Sequence, residues 1–253
     1  MNECAVSCDV PELREQARAL AQELDLPGVS LSEQQNYSAL LLQTVSGLQL
    51  QPVGDKASGP VRVDFGAGNM RHRRRGGHNE PLGKAVGIGR REGLKLIDAT
   101  AGLGRDSFVL ADLGCDVTML ECSAIAFALL RDGIQRARQN EDPWLCEVAE
   151  RMHLHHADSI AWLADNVEEF DVVYLDPMFP SRKKSARVKK EMWLFQQLIG
   201  HRPGEGDLLE QALQTAQWRV VVKRPAKAPS LAGPRPHHAI TGKTVRFDVY
   251  NCD

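Results

Sequence analysis

From Leu94 onward the apolar residues fall in short continuous runs separated by stretches of helical period. LKLID (Leu94–Asp98), DVTMLE (Asp116–Glu121), MHLHH (Met152–His156), DVVYLD (Asp171–Asp176) and RVVVK (Arg219–Lys223) read as strands. Gly104–Leu113, Ala124–Arg138, Ser159–Asn166, Lys190–Ile199 and Asp207–Ala216 read as helices. Strands that are apolar throughout, alternating with helices, predict a parallel sheet covered on both faces. His238–Thr241 and Thr244–Tyr250 predict a closing antiparallel hairpin that turns at Gly242 and Lys243.

The first part of the chain has a different pattern. Leu13, Ala17, Leu20 and Leu24 recur at helical spacing behind Pro11, which suits a first turn, so residues 11–25 predict a helix. After Pro27-Gly28 come strand-like pieces at Ala39–Val45, Leu48–Leu50 and Val61–Phe65, punctuated by Gly47 and the Gly54–Pro60 stretch. These predict a small α+β domain over residues 1–68. Residues 69–93 follow as a Gly- and Arg-rich connector with room for a short helix after Pro81, and residues 94–253 hold the parallel sheet. No internal repeat is visible.

Composition narrows the class. Hydrophobic residues at 43% and charged residues at 25% describe an ordinary globular protein. No apolar run approaches the roughly 20 residues that span a bilayer, and Glu3 and Asp9 stand where a signal peptide would be apolar. The six cysteines form no C-x-x-C pair and no Cys/His zinc spacing. Reduced thiols and a cytoplasmic location are expected, with no metal.

The net charge is −2, so any affinity for nucleic acid has to come from placement. Residues 1–60 carry three basic and eight acidic residues, whereas residues 71–95 carry eight basic and two acidic ones. Residues 211–247 hold seven basic residues and no acid, and Arg182–Lys190 packs six into nine positions. Single charges in such tracts are ordinarily solvated, but like charges this dense repel unless an anion lies near. Arg73, Arg74, Arg75, Arg182, Lys183, Lys184, Arg187, Lys189 and Lys190 are therefore the candidate phosphate contacts.

The turn D-A-T-A-G-L-G (Asp98–Gly104) joins the first strand of the sheet to its first helix, where open parallel sheets bind ligands. Gly102 and Gly104 allow a tight turn and close approach of a ligand to the backbone. The dinucleotide fingerprint fails, because Ser107 stands at its third glycine. Asp98, four residues before the first glycine, instead faces a cation or an amine, and S-adenosylmethionine carries both. Glu121 ends the second strand, where a carboxylate accepts ribose hydroxyls; its plainer role is a solvated strand end. Arg105 and Asp106 open the first helix and reach toward the methionine part. Asp158 and Ser159 follow the third strand beside the adenine position, and both also suit a helix cap. His153, His155 and His156 alternate across a strand and lack an acid at ligand spacing, which favours a structural role.

The fourth strand delivers D-P-M-F (Asp176–Phe179) to the same rim. An exocyclic base amine is a poor nucleophile because its lone pair is delocalised into the ring. The Asp176 carboxylate and the Pro177 carbonyl supply two acceptors for its N–H groups, which would hold the nitrogen in line with a methyl donor. Phe179 supplies a face on which an extruded base can stack. Alone, this stretch would be a common Asp-Pro turn before a core Phe.

D-A-T-A-G-L-G-R-D, V-V-Y-L-D-P-M-F-P, K-S-A-R-V-K-K-E-M and V-V-V-K-R-P together resemble the bacterial ribosomal RNA small subunit methyltransferase J family, from about Val61 to Tyr250. The resemblance implies a class I methyltransferase sheet, Rossmann-like and mostly parallel with a C-terminal antiparallel hairpin, behind a small α+β N-terminal domain. It implies transfer of a methyl group from S-adenosylmethionine to the N2 amine of a guanine in 16S rRNA, free or in the 30S subunit. By position it implies cofactor contacts at Arg105, Asp106, Glu121, Cys122, Asp158, Ser159 and Asp176. Met178 departs from the general amino-methyltransferase motif, which carries a second Pro there, but agrees with the family pattern. Three alternatives remain open on the residues: an adenine-N6 methyltransferase acting on RNA or DNA, a nicotinamide-dependent oxidoreductase, and a non-catalytic RNA-binding factor on the same fold.

Overall fold

The computed structural model describes residues 2–54, 59–67, 81–166, 170–177 and 205–252. Arg73–Arg75, Phe179, the Arg182–Lys190 run and the helix expected at Lys190–Ile199 lie outside the described residues. The chain divides into two compact units: Met1–Asp64 with Ser123–Arg136, and Phe65–Cys122 with Ala137–Met178 and Arg202–Asp253.

In the first unit, β1 (Asn2–Cys8) pairs in parallel with β2 (Tyr37–Thr44), which pairs antiparallel with β3 (Gly47–Pro52). Helix α1 (Arg14–Glu23) follows a short 3-10 turn at Pro11–Leu13 and buries Ala17, Leu20 and Ala21. Strand β1 is absent from the sequence reading: Asn2 and Glu3 hide it, and its buried Cys4–Ser7 segment is recognisable only once β2 lies beside it. The Val61–Phe65 piece is reduced to a single bridge between Leu50 and Val61.

In the second unit, β4 (Lys95–Asp98), β5 (Asp116–Glu121), β6 (Met152–His156), β7 (Phe170–Leu175) and β8 (Ala216–Pro225) are parallel. β10 (Val245–Asn251) runs antiparallel between β8 and β9 (His238–Thr241). The order across the sheet is β6-β5-β4-β7-β8-β10-β9. The chain winds outward from β4 to β6, then returns to the other side of β4 with β7. The carboxyl ends of β4 and β7 therefore bound the crevice at the topological switch point. The central strands are apolar on both faces, as burial of Leu96, Ile97, Val172, Val173, Val220 and Val221 requires.

Helix α2 (Pro81–Val86) falls in the stretch read as a connector, yet Leu82, Ala85 and Val86 are buried and Arg219 donates to the Ala85 carbonyl at 3.1 Å. Residues 81–93 thus fold with the second unit. Helix α3 (Arg105–Asp112) follows β4, and α4 (Ala124–Arg138) follows β5. Most of α4 groups with the first unit, a division across the linear boundary: Arg131 donates to both carboxylate oxygens of Glu23 at 2.5 and 2.8 Å, and Arg136 donates to the Val63 carbonyl. Helix α5 (Pro143–Glu150) is also new. Its signals were present, with Asp142 capping Trp144 N–H and Pro143 in the first turn. Helices α6 (Ser159–Asp165) and α7 (Glu205–Thr215) flank β7 in the chain.

Candidate active site

Asp98 is the last residue of β4 and only 2% exposed. Its Oδ1 accepts the Thr100 N–H at 3.0 Å and its Oδ2 the Ser107 hydroxyl at 2.5 Å. The carboxylate thereby ties the start of the glycine turn to helix α3. Gly102 and Gly104 close the turn at φ +55° and +69°, in the left-handed region where glycine alone is unstrained. A Cβ on Gly102 would meet no heavy atom nearer than Thr100 O at 3.9 Å, so this backbone faces open space.

Burial pushes Asp98 from its ordinary 3.8 up to about 7; the Ser107 and Thr100 bonds oppose this and the Asp106 and Asp176 charges add to it. Above 3.8 the unfolded chain gives up the Asp98 proton while the folded protein keeps it until about 7. Stability contributed through this group is therefore complete below 3.8 and declines as pH rises through about 7. Asp98→Asn is expected to flatten that decline, at roughly 1.4 kcal/mol for each unit of displacement removed. Thermal unfolding of both proteins from pH 4 to 8 checks it; identical slopes would refute it.

Glu121 ends β5 with 6% exposure, and its Oε2 accepts the Gly102 N–H at 2.9 Å. It supports the loop directly, a role the strand-end reading did not include. Cys122 Sγ lies 3.7 Å from Glu121 Oε1. Asp158 caps α6 by accepting the Ala161 N–H at 3.0 Å, and Ser159 donates to the Ala99 carbonyl at 2.6 Å, fastening the β6–α6 corner to the β4 loop. Arg105 is exposed at the start of α3.

Asp176 follows β7. Its backbone N–H donates to the Thr100 hydroxyl at 2.6 Å, which couples the D-P loop to the glycine turn, and Pro177 is buried. Asp106, in the first turn of α3, accepts the Tyr174 hydroxyl at 2.8 Å and the Lys223 ammonium at 2.5 Å on one oxygen, Oδ2. The same ammonium reaches Asp176 Oδ2 at 2.8 Å. Tyr174, read from sequence as strand core, is wholly buried yet carries this polar contact. Burial foremost, with Asp106 and other nearby carboxylates, holds the Tyr174 hydroxyl well above its ordinary range, so it acts as a donor. Burial also raises Asp176; Lys223 opposes that rise and Asp106 adds to it. For Lys223, burial alone would lower the pKa, but Asp106 and Asp176 outweigh it and the group stays protonated.

Sequence reasoning left Lys223, Tyr174, Thr100 and Ser107 out of the site. A lysine in a run of valines, on the strand beside the one ending in Asp176, was the available signal for Lys223. The histidines serve separately: His153 contacts Asp116 at 2.7 Å, and His156 the Cys122 carbonyl at 3.1 Å. Among the described residues no group of His, Cys, Asp and Glu could hold a metal ion, and no helix is long and apolar enough to cross a membrane.

Asp98, Asp106, Glu121 and Asp176 thus gather around a glycine turn that opens to the rim, and Lys223 pairs with Asp106 and Asp176 among them. An excess of negative charge there fits a ligand bearing a sulfonium and an ammonium group. With the outward-and-return strand order and the antiparallel β10, this defines a class I S-adenosylmethionine-dependent methyltransferase. A family model described as "Putative SAM-dependent methyltransferase" matches residues 22–252. Ribosomal RNA small subunit methyltransferase J of Thioalkalivibrio sulfidiphilus is 48% identical, covering 94% of each chain. The protein of the same name from Coxiella burnetii is 43% identical over 97% of this chain and 96% of its own. A crystal structure of the SAM-dependent methyltransferase of Neisseria gonorrhoeae superimposes with a TM-score of 0.74 at 37% identity, covering 98% of this chain and 95% of that one. The chain belongs to the ribosomal RNA small subunit methyltransferase J family.

Proposed function

We propose that this protein methylates the exocyclic N2 amine of one guanine in 16S rRNA, guanine-1516 by family membership, and does so in the cytoplasm. The observation that carries this reading is the placement of Asp176 and Pro177 beyond β7, hydrogen-bonded through Thr100 to the glycine turn beyond β4. When bound, S-adenosylmethionine supplies an electrophilic methyl group on a sulfonium centre. Asp98, Gly102, Gly104, Arg105, Asp106, Glu121, Cys122, Asp158 and Ser159 line its place in this reading, with Glu121 toward the ribose and Asp158 and Ser159 toward the adenine.

The Asp176 carboxylate and the Pro177 carbonyl accept the two amine N–H groups, which aligns the nitrogen lone pair with the methyl. The proton that the nitrogen loses as the N–C bond forms passes to Asp176. Phe179 stacks on the base, which has to leave its neighbours to be reached. The basic residues at 73–75 and 182–190 hold the surrounding backbone.

Labelled-methyl transfer to free 16S rRNA and to 30S subunits, both from a deletion strain, tests the proposal when followed by nucleoside mass spectrometry. N2-methylguanosine is the expected product, and the better of the two acceptors identifies the natural substrate. N6-methyladenosine, or cofactor binding without transfer to either RNA, would overturn it.

A further inference from the structure

Lys223 is the one described cation within reach of the D-P loop, and it enters from β8, the strand next to β7. We infer that Lys223 is a positioning residue for methyl transfer: its ammonium clamps Asp176 Oδ2 against Asp106 and keeps the Asp176 carboxylate ionised and aimed at the incoming amine. The inference rests on the assignment of Asp176 to the amine and adds the group that makes that assignment workable.

The geometry is specific. The lysine side chain is 23% exposed, and its ammonium lies 2.5 Å from Asp106 and 2.8 Å from Asp176. Its reach is set by register: Leu175 pairs with Val222, which brings Asp176, just beyond the end of β7, beside Lys223 of β8 at the carboxyl edge. Asp106 Oδ2 also accepts the Tyr174 hydroxyl, which fixes the oxygen that the lysine holds. The groups facing Asp176 are Lys223 from β8, Asp106 from α3, Asp98 from β4 and Tyr174 from β7. Two of the four are acids and a third is a neutral phenol. Without the lysine, the carboxylate would sit partly buried among like charges and would take up a proton. A protonated Asp176 presents an O–H and loses much of its power to accept an amine N–H, so the loop would keep its shape and fail in its task.

The test compares wild type, Lys223→Met and Lys223→Arg. Carboxyl-carbon NMR of aspartate-labelled protein, with the Asp176 signal assigned through Asp176→Asn, reads the protonation directly and needs neither cofactor nor RNA. In Lys223→Met the Asp176 titration is expected to move up by about one pH unit or more, and in Lys223→Arg to stay near wild type. The acid limb of kcat should move up with it, while KM for RNA changes less than kcat. If Lys223→Met leaves a buried acid stranded and does not fold, the double variant Asp106→Asn with Lys223→Met removes both charges. Asp176 then still lacks its cation, and its titration should still lie above that of Asp106→Asn alone. An unshifted Asp176 titration in these variants would overturn the inference. Failure of wild type to methylate guanine would instead strike the proposed substrate, and the NMR result would stand apart from it.

Discussion

Asp176→Ala is expected to lower methyl transfer by about 10²–10⁴-fold, the range for losing a group that handles the reacting proton, while leaving cofactor binding partly intact. The asymmetry follows from where the acids sit. Asp98 ends β4, Glu121 ends β5 and Asp106 opens α3, so the glycine turn keeps its supports when the β7 carboxylate is deleted. Lys223 retains Asp106 as a partner, so no buried cation is stranded. Labelled-methyl transfer with calorimetric titration of S-adenosylmethionine separates the two effects. Turnover near wild type would mean that another group handles the amine.

The second large effect concerns RNA affinity. The protein's net charge of −2 gives no general attraction for a polyanion. If Arg182, Lys183, Lys184, Arg187, Lys189 and Lys190 each meet a phosphate, the log–log salt slope should be about −0.7 to −0.9 per contact. Six contacts then predict an affinity loss of about 10³-fold between roughly 50 and 200 mM salt. Replacing the six with Gln should flatten the slope by about four to five units in a filter-binding series. A flat dependence in the wild-type protein would remove this run, and the Arg73–Arg75 tract with it, from the RNA surface.

The methyltransferase sheet was legible because its strands are apolar on both faces and its helices have their own period. DVTMLE and MHLHH fall on β5 and β6 residue for residue, and Ala124–Arg138 matches α4. Legibility failed where the signal is tertiary. β1 has too few apolar residues to announce itself and exists through pairing with β2. The stretch after Pro81 reads as connector with room for a short helix, but that α2 buries Leu82, Ala85 and Val86 and receives Arg219 of β8 at its Ala85 carbonyl leaves no local trace. Ser123–Arg136 joins the first unit through Arg131 and Arg136, bonds that span more than 70 residues of chain and leave no local trace.

By itself the sequence determined the class of sheet, the glycine turn, the acids beside it and the arrival of Asp-Pro at the end of a buried strand. Each of these is written in a local period or a short motif, which neighbouring residues along the chain can specify. Only the tertiary structure decided that Thr100 holds the Asp176 backbone, that Glu121 holds Gly102, and that Lys223 joins Asp106 to Asp176. The physical reason lies in the winding of the sheet. Apolar periodicity states which residues face inward, but not which strand becomes the neighbour of which. When β7 returns beside β4 and β8 follows it, side chains 47 and 117 residues apart meet at one edge.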